Sequence, residues 1–306
     1  MIITCHMLQY YDNELCRWFN IGVQVFFVIS GFLYGKKDIN NPIQFIHKTF
    51  IKILVPYYTF IVVAVGLYYL YYPEYLSINH LLKVFTCSGT IKGLGHLWFV
   101  GYILFCYVIT PYLYWMRISM RHFSNNKKLA VYVIFLLFVQ ILSIAFNSYF
   151  IPDRISCYII GFFLADIFTW NDKRRYFVQI ITVLFAISLN GIEVLGRYIS
   201  PDLTSVTGET VFNAICRYGH CMLGASIFIV LKVIFKNIKR NFLMDYSDKY
   251  SYSIYIVHLL FILSPFSLMQ ITSFTLFNWA LVIISVLLSG IMLDKASELI
   301  KNEIIH

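Results

Sequence analysis

The chain has 306 residues, of which 59% are hydrophobic, 19% aromatic and only 13% charged, with a net charge of +9. A soluble domain carries about 25% charged residues, so this composition excludes a water-soluble enzyme and requires a polytopic membrane protein. Eighteen of the 24 Lys and Arg fall in segments 36–52, 117–128, 171–175, 232–249 and 294–306; basic loops gather on the cytoplasmic side of a membrane, so the positive charge reports topology and nucleic acid is not an expected partner.

Residues 1–11 form an apolar fragment with no basic n-region and no small-residue cleavage site, which reads as the second half of a first helix and not as a signal peptide. Apolar segments near the ~20 residues that cross ~30 Å of hydrocarbon follow at 20–35, 53–73, 97–116, 129–150, 155–170, 176–195, 210–235, 250–269 and 277–294. The expected fold is an all-α transmembrane bundle of about ten helices forming one membrane domain over 1–306, its first helix truncated at the N-terminus. Met1 would then start inside the bilayer, so a start assigned too late, on a chain longer by about 15 residues, is the expected cause. The longest outward loops, 73–96 and 196–209, are where an external substrate would be met. Cys5, Cys16, Cys87, Cys106, Cys157, Cys216 and Cys221 show no CxxC or Cys/His metal spacing and read as small apolar residues. Pairing of Cys16 with Cys87 in an outward compartment stays open, and no metal is expected.

An ionisable side chain inside a hydrophobic span costs roughly 2.5–3.5 kcal/mol, so one that persists lines a cavity or has a partner. His6, Arg217, His220 and His258 qualify. The plain alternative for each histidine is a neutral imidazole bonded between helices. Sixteen positions after His6 begins the run Gly22-Val23-Gln24-Val25-Phe26-Phe27-Val28-Ile29-Ser30-Gly31-Phe32, which sets glycines, a Phe pair and a Ser at fixed offsets where ordinary spans are interchangeable. Ser30 lacks a Gly-x-Ser-x-Gly elbow and an acidic partner, so Ser30-Gly31 reads better as a close approach of two helices. The basic residues nearest this run are Lys36, Lys37, Lys48 and Lys52.

This run after His6 resembles the signature of the integral-membrane acyltransferase 3 family. Four further stretches carry the resemblance in order: residues 45–58 with Pro56-Tyr57, residues 96–111 opening on His96-Leu97-Trp98-Phe99, Arg154 followed by Gly161-Phe162-Phe163-Leu164, and Tyr250 to His258, which reads Tyr-Ser-x-x-Ile-Tyr-x-x-His. The resemblance implies acyl transfer, most simply of acetyl from cytoplasmic acyl-CoA to a hydroxyl of a surface or lipid-linked glycan, in the cytoplasmic membrane of a bacterium. It implies His6 as general base or acyl carrier, and Gln24, Ser30, Trp98, Tyr255 and His258 as substrate or cavity residues; Arg217, as a cation within a span, is expected to meet a phosphate or carboxylate there. It also implies that Lys36, Lys37, Lys48 and Lys52 meet the phosphates of the donor. Pro56 is expected near a helix start, and Trp98 also reads as an interfacial anchor.

The chain departs from the family pattern in three places. An Arg usually stands eleven positions before the histidine, which here precedes Met1. Thr49 and Lys52 occupy the places of an Arg-x-x-Arg pair, and lysine lacks arginine's bidentate fork. Gln24 stands where an acidic residue is frequent. An inactive truncated relative, a flippase of a lipid-linked sugar and a glycan polymerase are the rival readings; a transporter should show two related halves, and no internal repeat is evident.

Overall fold

The computed structural model describes residues 1–145, 152–199 and 208–305. Residues 146–150 of the expected segment 129–150 and most of the expected outward loop 196–209 lie outside the described residues. Helices dominate the described residues, and no strand occurs among them. Seven of the described helices are long and apolar enough to cross a membrane: Cys16–Gly35, Pro42–Tyr71, Gly95–Ser119, Asn125–Leu142, Asp172–Ile199, Val211–Asn237 and Thr275–Ile304. The all-α polytopic expectation therefore holds.

Two compact units divide the chain. The first comprises Met1–Phe19, Asn41–Val108 and Lys239–His306; the second comprises Asn20–Asn40 and Ile109–Ile238.

In the first unit lie α1 (Ile2–Tyr10), α2 (Cys16–Phe19) and, after the second unit's α3 (Gly22–Gly35), α4 (Pro42–Tyr71) and α5 (Ile78–Phe85). α4 corrects the expected helix start near Pro56. Asn41 caps it by accepting from the Gln44 N–H at 3.0 Å, and Pro42 occupies the first turn, where its missing N–H costs nothing. Pro56 is thus internal, and Lys48 and Lys52 are exposed residues of the helix itself. The α4 tyrosines hold the chain that follows. Tyr57 donates to Val84 O at 2.6 Å, Tyr58 to Phe85 O at 2.8 Å and Tyr68 to Lys92 O at 2.8 Å. A phenol gives an apolar body with one donor at its tip, which suits loop carbonyls that lie against an apolar helix.

α6 (Trp98–Ser119) belongs to this unit as far as Val108. The segment expected to span 250–269 is instead broken. α11 (Phe242–Val257) ends after sixteen residues, a 3-10 turn His258–Phe261 follows, and turns continue to α12 (Thr275–Ile305). Pro265 disfavours helix at the residue before it, and serines complete the stop. Ser264 donates to Leu260 O and accepts from the Phe266 N–H at 2.9 Å, while Ser267 donates to Ile262 O at 2.7 Å. Asn278, buried in α12, donates to Met269 O and Thr272 O at 3.0 and 2.8 Å. Non-helical backbone at membrane depth needs such internal partners. Cys16 and Cys87 are both free thiols.

The second unit is built round α3 (Gly22–Gly35), which carries the sequence signature. With α7 (Asn125–Ala145), α8 (Pro152–Ile167), α9 (Asp172–Val194) and α10 (Glu209–Ile234) it forms a bundle in which eleven of the fourteen α3 residues are buried. A Cβ on Gly31 would lie 2.0 Å from Tyr158 O, one on Gly161 2.1 Å from Val28 O, and one on Gly35 2.7 Å from Phe162 O. α3 and α8 therefore touch backbone to backbone, as small-residue seams allow. On the other side of α3, a Cβ on Gly224 of α10 would meet the Gln24 Cβ at 2.7 Å.

Gly31→Ala forces that seam open and should lower stability by about 3 kcal/mol. Gly66→Ala, at an α4 position with nothing within 4 Å, should be neutral or stabilising by about 1 kcal/mol. Thermal unfolding of the two purified variants in detergent checks this; equal midpoints would refute the backbone contact.

Candidate active site

The last four carbonyls of an α-helix have no partner inside it, and in an apolar interior each needs a donor from elsewhere. At the end of α11 two of them are taken by histidines. Nδ1 of His258, the residue after the helix, donates to Tyr255 O. Nε2 of His96 donates to Ile256 O at 2.8 Å. A carbonyl oxygen only accepts, so both tautomers are fixed: the lone pair sits on Nε2 in His258 and on Nδ1 in His96. The rings are 0% and 3% exposed, and both lone-pair nitrogens are buried with no hydrogen-bond partner among the described residues.

His6 completes the cluster. Its ring centroid is 5.2 Å from that of His258, with the planes at 35°, and His258 is 4.7 Å from His96, at 68°. One turn along α1, Gln9 Oε1 lies 2.9 Å from His6 Nδ1. That amide oxygen accepts the Nδ1 proton and leaves the His6 lone pair on Nε2. α1 buries Cys5 and Met7, leaving His6 half-buried and Gln9 exposed.

His96 is carried on a 3-10 turn, Gly95–Leu97, just before α6. Gly93, at φ +83°, lets this turn press on the broken segment, since a Cβ there would lie 2.6 Å from the Ser264 Cα. Leu94 and Leu97 are fully buried on either side. The Tyr255 hydroxyl donates to His96 O at 3.0 Å, and the Tyr255 ring packs against His96, His258 and Phe99, with centroids 5.3, 5.4 and 4.9 Å away. Tyr252, three residues earlier on the same face, donates to Ile53 O at 3.0 Å.

Of the residues singled out in the sequence, His6, Tyr255 and His258 thus come together. Their fourth member, His96, stands two residues before Trp98, which itself packs edge-on against Tyr102 at 5.5 Å. Its position two residues ahead of Trp98 in the matched stretch was the signal available. Lys48 and Lys52 belong to the first unit, and Lys36 and Lys37 to the second; all four are exposed.

Gln24, Ser30 and Arg217 belong to the second unit. Gln24 is buried, its carbonyl oxygen without a partner among the described residues. Ser30 is buried beside the glycine seam, and Arg217 is exposed on α10. A buried acidic residue here is Glu193 of α9, 1% exposed, whose Oε1 accepts from Arg197 Nε at 2.9 Å while Oε2 lies 2.9 Å from His220 Nε2. Arg197 reaches back from a π turn, Leu195–Ile199.

A family model described as an acyltransferase domain, that of acyltransferase 3, matches residues 1–294. The chain belongs to the acyltransferase 3 family. No curated protein and no solved structure matches it. The protein is therefore a membrane acyltransferase.

Gly93→Ala strains a left-handed backbone position and pushes Ser264 away. The acyltransferase carrying it should lose at least about tenfold in acyl transfer, the scale on which small misplacements of reacting groups act. A rate equal to wild type in the same membranes would show that the turn does not position His96.

Proposed function

We propose that the protein transfers an acyl group, acetyl being the simplest, from cytoplasmic acyl-CoA to a hydroxyl of a surface or lipid-linked glycan, with His6 as general base. The observation that carries this reading is the single lone pair that Gln9 leaves on Nε2 of the half-buried His6, at the edge of a cluster of neutral imidazoles. Imidazole, with a reference pKa of about 6.5, takes and returns a proton near neutral pH. Nε2 removes the hydroxyl proton as the oxygen attacks the thioester carbonyl. The tetrahedral intermediate then collapses, the C–S bond breaks, and the departing thiolate of CoA receives the proton back from His6.

The donor is phosphate-rich, and the exposed Lys36, Lys37, Lys48 and Lys52 are proposed to draw it to the cytoplasmic face of a bacterial cytoplasmic membrane. The gathering of Lys and Arg in a few segments, 36–52 among them, supports this orientation. Gln24, Ser30 and Arg217 are proposed to line the path of a substrate.

The test is the O-acyl ester content of surface polysaccharide from cells lacking the gene, complemented with the wild-type protein or with His6→Ala. Esters should disappear with the gene and return with the wild type alone. Ester content that is unchanged while polysaccharide amount or chain length shifts would replace this reading with a flippase or polymerase.

A further inference from the structure

Each imidazole of the cluster has already committed its N–H: His6 to Gln9, His96 to Ile256 O and His258 to Tyr255 O. What remains is one lone pair per ring, on His6 Nε2, His96 Nδ1 and His258 Nε2. In the neutral state the cluster therefore offers acceptors and no free donor. A buried acceptor left without a donor costs about 1–3 kcal/mol, and two adjacent rings carry such a nitrogen each, on His96 Nδ1 and His258 Nε2.

That balance selects among the partners of an acyl transfer. A thioester carbonyl, an oxyanion and a phosphate oxygen present lone pairs only, and they find nothing here to bind. A hydroxylated ligand presents O–H donors. One hydroxyl, the one to be acylated, satisfies His6, and the two buried nitrogens call for further O–H groups beside it.

We propose that His96 and His258 recognise the acceptor: they accept hydrogen bonds from hydroxyls flanking the reacting one on a polyhydroxylated ring, and so set which hydroxyl reaches His6. This rests on the reading of His6 as the base for a glycan hydroxyl. Tyr255 serves as a positioning residue, since its hydroxyl and its carbonyl hold His96 and His258 respectively. The donors that stabilise the oxyanion come from outside this cluster.

The experiment uses the full chain in lipid nanodiscs with acetyl-CoA as donor. The acceptor probe is surface polysaccharide from the producing cells, stripped of its esters by mild alkali. His96→Phe and His258→Phe keep a ring and remove the lone pair together with the N–H that meets Ile256 O or Tyr255 O; His258→Gln returns an amide oxygen near the place of Nε2 without that N–H, so it separates the two losses. Both Phe variants should raise KM for the stripped polysaccharide about tenfold or more, the scale of one lost hydrogen bond. KM for acetyl-CoA should stay within about twofold, and His258→Gln should recover part of the loss.

An unmoved polysaccharide KM, or a fall in kcat alone, overturns the proposal and leaves ordered water on the two nitrogens. If the Phe variants do not fold, [15N]histidine spectra of the wild-type protein decide: the stripped polysaccharide should shift the resonances of the lone-pair nitrogens, and spectra that do not change overturn it. His6→Ala separates the two ideas. If that variant still acylates the polysaccharide, the acyl-transfer role of His6 fails; if it is dead while the Phe variants keep a wild-type KM, only the recognition role fails.

Discussion

The candidate site depends on two backbone carbonyls that a broken helix leaves open in an apolar interior. Had α11 run on through residue 269, Tyr255 O and Ile256 O would have bonded to the next turn, and His258 would have been one more residue on a helix face. Because the helix stops at Val257, those oxygens take N–H donors from His258 and His96. The same two bonds place the rings and fix which nitrogen of each stays basic. Position and chemistry thus come from one backbone event, and the side chains of Ser264, Ser267 and Asn278 make that event affordable.

The helical class, the membrane setting and the family were legible in the sequence, because apolar length and basic loops are one-dimensional signals and because the signature after His6 is dense. His6 and His258 were singled out as ionisable groups in apolar surroundings and Tyr255 through the matched stretch that ends on His258, and the structure brings the three together. The break at His258 was not legible. Its cause, a proline at 265 supported by serines, lies several residues downstream of its effect, and apolar content does not register it. His96 was visible only as the opening of a matched stretch, since its hydrogen bond appears only when a carbonyl 160 positions away is known to be open. Pro56 misled for a related reason: a proline marks a helix start only when no better start precedes it, and Asn41-Pro42 is better.

The tyrosine content follows the same logic as the site. Tyr57, Tyr58, Tyr68, Tyr252 and Tyr255 each donate to a main-chain carbonyl. Where loops pack against apolar helices, a tyrosine brings a donor to a loop carbonyl on a largely apolar side chain. The loop from Val84 to Lys92 and the turn bearing His96 are held this way, so the aromatic richness of the chain is partly a supply of donors.

The seam between α3 and α8 has an evolutionary corollary. Where two side chains meet, enlarging one can be offset by shrinking the other, and the pair can drift together. At Gly31 and Gly161 the facing atoms are the carbonyls of Tyr158 and Val28, and a main chain cannot be made smaller by substitution. These positions have no compensating partner to mutate, so the signature is resistant to change on steric grounds alone, whatever the helix contributes to chemistry.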